Sequence, residues 1–221
     1  MASVITKDYS DQIKIFDPAT VGFPVHVIGA GGIGNTVIPL LAKMGFPEIE
    51  IWDDDYYERR NGPTEVAYSD RFFGRPKVEV AKETVDFLLG YSDMLTLHQE
   101  RVTADTILNG YVICGVDSMT SRSDIWNCIQ NCAIDIPIYI DARSAGELVQ
   151  VFAIQPFDME DVENYESWLF DDHEATPLGC GARNIGYMST YISTIVAKNL
   201  TAFIRGENIP FMVQKDLAKS F

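Results

Sequence analysis

Two clusters at fixed spacing constrain this chain most: Gly29-Ala30-Gly31-Gly32-Ile33-Gly34, and the stretch from Asp53 to Lys77. The first follows an apolar run, Val25 to Ile28, and opens onto Asn35 to Met44. That order reads as strand, glycine turn, helix. Glycines let such a turn close tightly and let backbone N–H groups approach an anion at the helix N-terminus. A second apolar run, Ile49 to Trp52, ends in Asp53-Asp54-Asp55. An acidic group at the tip of the second strand, about 20 residues past the glycines, suits a ribose hydroxyl. The pattern therefore implies nucleotide binding. Taken alone, the glycine turn does not say which nucleotide, because dehydrogenases, flavoproteins, methyltransferases and adenylating enzymes all carry such turns.

The rest of the chain fills in an α/β pattern. A short helix is expected around Tyr9–Phe16, inside an N-terminal arm over residues 1–24. After the second strand, Tyr56–Gly74 reads as irregular, with Asn61-Gly62-Pro63 as a turn. Pro76 starts a helix to about Leu89. Strands are expected at Leu95–His98, Tyr111–Gly115 and Ile138–Asp141, a brief helix at Ala104–Leu108, and a helix at Thr120–Ala133. Alternation of strand and helix predicts a Rossmann-like, doubly wound, mostly parallel sheet with helices on both faces. After Ala142 the pattern changes. Leu148–Gln155 follows a close turn at Ser144-Ala145-Gly146, which predicts late antiparallel strands, the last at Phe211–Gln214. Residues 156–182 read as an acidic loop, and Asn184–Arg205 as a long apolar helix. The Met and aromatic residues around Tyr187–Phe203 have helical spacing and suit a core or a dimer face.

Composition narrows the class. At 221 residues the chain is expected to form one domain over 1–221. No apolar run reaches the roughly 18–20 residues of a membrane span. The first 20 residues lack a basic n-region and an apolar h-region, so no signal peptide and a cytoplasmic location are expected. The net charge of −15 argues against nucleic acid as a partner. About half of that charge lies in Asp158–Glu174, with eight carboxylates and no Lys or Arg. It reads as a solvated loop or as a surface for a basic partner. The four cysteines form no Cys-x-x-Cys pair, so zinc is not expected. Cys128 and Cys132 read as core residues, and His26 as a packed residue within the first strand.

The spacing of these motifs resembles the ThiF/MoeB adenylyltransferases, which share a fold with ubiquitin-activating enzymes. That family has Gly-x-Gly-Gly-x-Gly, then Asp, then Asn eight residues on, then Lys sixteen beyond that. Asp53, Asn61 and Lys77 match without a gap, and Val112 to Asp117 followed by Arg122 resembles the next signature. The resemblance implies ATP-dependent adenylation of the C-terminal glycine of a small ubiquitin-like or sulfur-carrier protein, by a homodimer, with Mg²⁺. It implies that Gly29, Gly31, Gly32 and Gly34 let the backbone meet the phosphates. Asp53, with Asp55, would serve the ribose side, Asn61 a phosphate oxygen, Lys77 the triphosphate charge, and Asp117 the Mg²⁺. Taken alone, Lys77 reads as a solvated helix lysine, Asp117 as an N-cap, Arg122 as structural, and Asp54 and Asp55 as turn residues. Cys180, in Pro177-Leu-Gly-Cys-Gly-Ala-Arg183, has two readings: a thiolate that forms a thioester, or a small residue packed at a helix start.

Two family arginines are replaced. Tyr9-Ser10-Asp11-Gln12 stands where many members have Tyr-Ser-Arg-Gln, and Thr64 stands three residues after Asn61. Arg59, Arg60 and Arg75 lie in the same irregular segment as candidates to replace them, with Arg60 taken as catalytic. The substitutions also leave open a nucleotide-binding scaffold without catalysis. An NAD-dependent oxidoreductase is allowed by the glycine turn and Asp53 and by nothing else.

Overall fold

The strands Val25–Ile28 (β1) and Tyr111–Cys114 (β4) are buried at all four of their positions. Only a sheet covered on both sides satisfies strands that are apolar on both faces. The computed structural model, which describes residues 7–67, 69–170 and 185–219, builds that sheet with seven strands in the order β3-β2-β1-β4-β5-β6-β7. The remaining strands are Ile49–Trp52 (β2), Leu95–His98 (β3), Tyr139–Ala145 (β5), Leu148–Ile154 (β6) and Met212–Asp216 (β7). Pairing is parallel from β3 across to β5, then antiparallel at β5–β6 and β6–β7. This is the expected doubly wound sheet with late antiparallel strands.

Period-two alternation divides the core. Val25, Val27, Ile49, Ile51, Ile113 and Ile140 face one side, against Gly34–Met44 (α1), Lys77–Leu89 (α2) and Gly186–Ile204 (α5). Ile28, Val112, Cys114 and Tyr139 face the other, against Met119–Asn131 (α3) and Met159–Glu166 (α4). His26 lies on this second face. Its Nδ1 accepts from Trp52 Nε1 at 3.1 Å and its Nε2 meets the Asn109 carbonyl at 2.7 Å, so it is a packed residue.

Three local expectations are corrected. Tyr9–Phe16 is a pair of turns rather than a helix, closed by Ile13 N–H on the Tyr9 carbonyl and Phe16 N–H on that of Gln12. Ala104–Leu108 holds only a turn, in which Thr106 Oγ1 accepts from Thr103 N–H. Neither segment gathers the consecutive i to i−4 hydrogen bonds that would repay the cost of nucleating a helix. Conversely, the acidic run contains α4. Asp158 caps it by accepting from Glu160 N–H at 2.9 Å, and Glu160 and Asp161 lie in the first turn, where the helix dipole favours anions.

A buried ionic network ties β5 to the loop after β4. Asp141 is fully buried. Its Oδ1 accepts from Arg122 Nε at 2.8 Å, and its Oδ2 accepts from Arg143 Nε at 2.6 Å and Tyr165 Oη at 2.8 Å. Burial raises the Asp141 pKa, and the two guanidinium groups outweigh it, so the carboxylate stays below its ordinary value. Arg122 also donates to the carbonyls of Val116 at 2.7 Å and Ser118 at 3.4 Å, bracketing Asp117. Replacing Asp141 by Ala leaves two cations buried without their anion. We expect a loss of about 3–5 kcal/mol in urea-unfolding stability.

Candidate functional site

The strand order reverses between β1 and β4, and a crevice opens at their carboxyl ends. Gly29–Gly34 leaves β1 there, Gly115 to Asp117 leaves β4, and Asp53 follows β2. Two glycines are required by geometry. Gly29 has φ +94°, and a Cβ there would lie 3.1 Å from the Gly115 carbonyl carbon. A Cβ on Gly34 would lie 1.8 Å from the Gly29 carbonyl oxygen. The turn is thus folded back on the start of α1, with Asn35 N–H on the Gly31 carbonyl at 2.8 Å. A Cβ added at Gly31 would meet no heavy atom within 4 Å among the described residues, so the outer side of the turn is open to a ligand.

Asp53 joins β2 to this turn. Its Oδ2 accepts from Ala30 N–H at 2.6 Å and its Oδ1 from Asp55 N–H at 2.8 Å. Burial raises its pKa, against the pull of Lys77 and these amide donors. Tyr56 and Pro76 form an isolated antiparallel bridge, and Lys77 N–H reaches the Asp55 carbonyl at 3.0 Å. The irregular segment is therefore a loop with joined ends, filled by Tyr57 and Phe72. That closure brings Lys77 back to the strand tip, where its Nζ meets Asp55 Oδ2 at 2.8 Å. Lys77 is a largely buried cation rather than a solvated one. Burial works to depress it, and the charges of Asp53, Asp55 and Glu65 together hold it above its ordinary value.

Glu65 is the residue that sequence reasoning missed. It is 8% exposed, and neither carboxyl oxygen has a hydrogen-bond partner among the described residues. Burial, with Asp53 adding to it and Lys77 opposing it, pushes its pKa up to about 8. Its neighbour Val66 donates N–H to Asn35 Oδ1 at 2.8 Å, which fastens the segment to α1. The Asn35 amide nitrogen is likewise buried without a partner among the described residues.

The other candidates are placed differently. Asn61 Oδ1 accepts from Glu58 N–H at 2.7 Å and closes a turn over Arg59–Asn61. Arg60 is 77% exposed and paired with Glu58. Arg59 meets Asp70 at 3.6 Å, and Arg75 meets Glu83 at 2.5 Å and Glu79 at 3.2 Å. All three arginines are thus engaged by acids. Asp54 meets Arg101 at 3.2 Å, so each of the three neighbouring aspartates already has a partner. Asp117 is exposed beyond β4, two strands and roughly 10 Å from the Asp53 position. The N-cap of α3 is Ser118, whose Oγ accepts from Ser121 N–H at 3.1 Å, and not Asp117. Asp11 belongs to the turn fixed by Gln12 Nε2 on the Met44 carbonyl, at the far end of α1 from the glycines. Cys180 lies outside the described residues.

The ThiF family model matches residues 22–220. The SAMP-activating enzyme E1 of Haloferax volcanii is 33% identical over 100 residues, which cover 45% of this chain and 36% of that protein. The SUMO-activating enzyme subunit 2 of Dictyostelium discoideum is 28% identical over 140 residues, covering 59% of this chain and 20% of that one. The matches thus span well under half the length of these curated relatives. Among solved structures, E. coli MccB with ATP superimposes with a TM-score of 0.70 at 17% identity, covering 91% of this chain and 63% of that one. MccB with AMPCPP and MccA gives 0.66 at 16% identity, covering 90% and 65%.

Two outcomes follow. Gly34→Ala forces its Cβ into the Gly29 carbonyl, and we expect a loss of roughly 3 kcal/mol or more in unfolding stability. The Glu65 proton links stability to pH. The stability it carries is full below about 4.5, the ordinary value, and is lost as pH rises toward about 8. Glu65→Gln should melt roughly 5 °C above the parent at pH 8.5, with the gap closed near pH 4.5, in calorimetric scans.

Proposed function

The chain belongs to the ThiF family, and from that premise we propose that it uses ATP to adenylate the C-terminal carboxylate of a small carrier protein or peptide. The observation that carries this reading is the gathering of the Gly29–Gly34 turn, Asp53 and Lys77 at the carboxyl ends of β1 and β2. Relatives named for SAMP and SUMO activation, and MccB seen with ATP and, in another structure, with AMPCPP and MccA, support the reaction class.

In the proposed reaction a carboxylate oxygen attacks the α-phosphorus of ATP. The bond to the bridging oxygen breaks, yielding acyl-adenylate and pyrophosphate. Positioning and charge neutralisation dominate such a step. Backbone N–H groups of Gly31, Gly32 and Gly34 meet the phosphates at the start of α1, and Gly29 holds the turn that presents them. Asp53 keeps spare lone pairs for the ribose beside its two amide donors. Lys77 exchanges Asp55 for a phosphate oxygen, Asn61 offers its amide nitrogen, and Arg60 exchanges Glu58 for the leaving phosphates. The exposed Asp117 carboxylate, a hard oxygen ligand, would hold Mg²⁺, and such an ion would supply charge neutralisation at the phosphates. Attack of a Cys180 thiolate on the acyl carbon, with AMP leaving, would give a thioester. The exposed aromatic pair Tyr187 and Tyr191 on α5 supports a dimer surface between copies.

A second reading, a nucleotide-binding scaffold, is favoured by the capture of Arg59, Arg60 and Arg75 in ion pairs. Calorimetric titration and pyrophosphate–ATP exchange with candidate carriers separate the two. Adenylation predicts tight ATP binding with Mg²⁺, no comparable binding of NAD, and carrier-dependent exchange. It also predicts that Asp117→Ala and Lys77→Ala each lower exchange about 10²-fold or more. Binding without exchange for any carrier ending in Gly-Gly leaves the scaffold reading, and selective NAD binding removes both.

A further inference from the structure

Charge around Lys77 does not balance. Asp53 and Asp55 act on this one cation, and Glu65 is the third carboxyl group whose charge it feels. Asp53 has two amide donors and Asp55 has the ammonium, whereas neither Glu65 oxygen has a donor among the described residues. A carboxylate buried without hydrogen bonds is far less favourable than a carboxylic acid in the same place. Of the three, Glu65 is therefore the group that holds a proton. Its surroundings add no further cation among the described residues: α1 offers the neutral Asn35, β2 ends in the aspartates, α2 offers Lys77, and the first turn of α5, which approaches at Gly186 beside Pro63, is uncharged.

The consequence falls on anion binding. With Glu65 neutral, two aspartates and one lysine leave a single net negative charge. With Glu65 ionised they leave two, and Lys77 is held more firmly by its own chain. We propose that Glu65 is a positioning residue that acts as a buried neutral acid, so that the site takes up nucleotide phosphates more tightly while Glu65 keeps its proton. This rests on the adenylation reading for the identity of the anion. The proton on Glu65 frees Lys77 to leave Asp55 for phosphate, and its loss disfavours that exchange. ATP affinity is thereby coupled to pH near neutrality through a residue that need not touch the nucleotide.

The test is calorimetric titration of the full chain with ATP and Mg²⁺ between pH 6.5 and 9.5, for the parent and Glu65→Gln, in two buffers of different ionisation enthalpy. The amide keeps the neutral form's shape and cannot ionise. The parent should lose roughly tenfold in affinity as pH rises through about 8, and should take up protons on binding there. Glu65→Gln should hold its affinity across the range and take up fewer protons. Matching pH profiles and proton uptake in the two proteins would overturn the proposal while leaving ATP binding in place. Proton uptake by the parent alone is sufficient for judgement if the variant does not fold: binding near pH 8 without uptake overturns the proposal. Failure of both proteins to bind ATP at any pH overturns the adenylation reading, and this one with it.

Discussion

The hydrogen bond from the Ala30 amide to Asp53 Oδ2, at 2.6 Å, is the contact on which the site depends. It fastens the tip of β2 to the glycine turn of β1, and Asp53 in turn accepts the Asp55 amide. Asp55 is then placed to meet both the backbone and the ammonium of Lys77. One carboxylate thus sets the turn, the strand tip and the first residue of α2. Burying it is unfavourable without such donors, which is why both of its oxygens are engaged. The close approach of Gly34 to Gly29 is the other half of the same constraint, since any larger residue would separate the turn from Asp53.

Around that contact the protein keeps more acid than base. Asp117 stands apart, on a loop that Arg122 braces through the Val116 and Ser118 carbonyls, and Arg122 is itself held by buried Asp141. The crevice is therefore bounded by two ionic assemblies of different character. The Asp141 network is closed, one fully buried carboxylate holding two guanidinium groups, and it braces the β4 loop. The Lys77 cluster is open: its cation pairs with Asp55, an exposed carboxylate.

Much of this was legible in the residue pattern. Alternation of apolar strands with helices predicts the doubly covered sheet, the glycine turn and Asp53 are read from their places at strand ends, and Lys77 is singled out by the family resemblance, since alone it reads as a solvated helix lysine. What was hidden depends on loop closure and on balance of charge. Nothing in the residue order distinguishes Glu65 from the many other acids; it is buried because Val66 docks on Asn35. Helix α4 was masked by its charge, although the Asp158 cap and acidic first turn are helix-start signals. The pairing of Arg59, Arg60 and Arg75 with nearby acids was equally invisible, since residue type alone does not say which acid an exposed arginine meets.

The most direct test is a crystal structure of the protein with Mg²⁺ and a non-hydrolysable ATP analogue. The account predicts phosphates seated on the Gly31–Gly34 amides, Lys77 Nζ moved from Asp55 to a phosphate oxygen, the ribose beside Asp53, and the ion on Asp117. A nucleotide bound elsewhere, or one bound here with the Lys77–Asp55 pair intact and Asp117 unengaged, would contradict it.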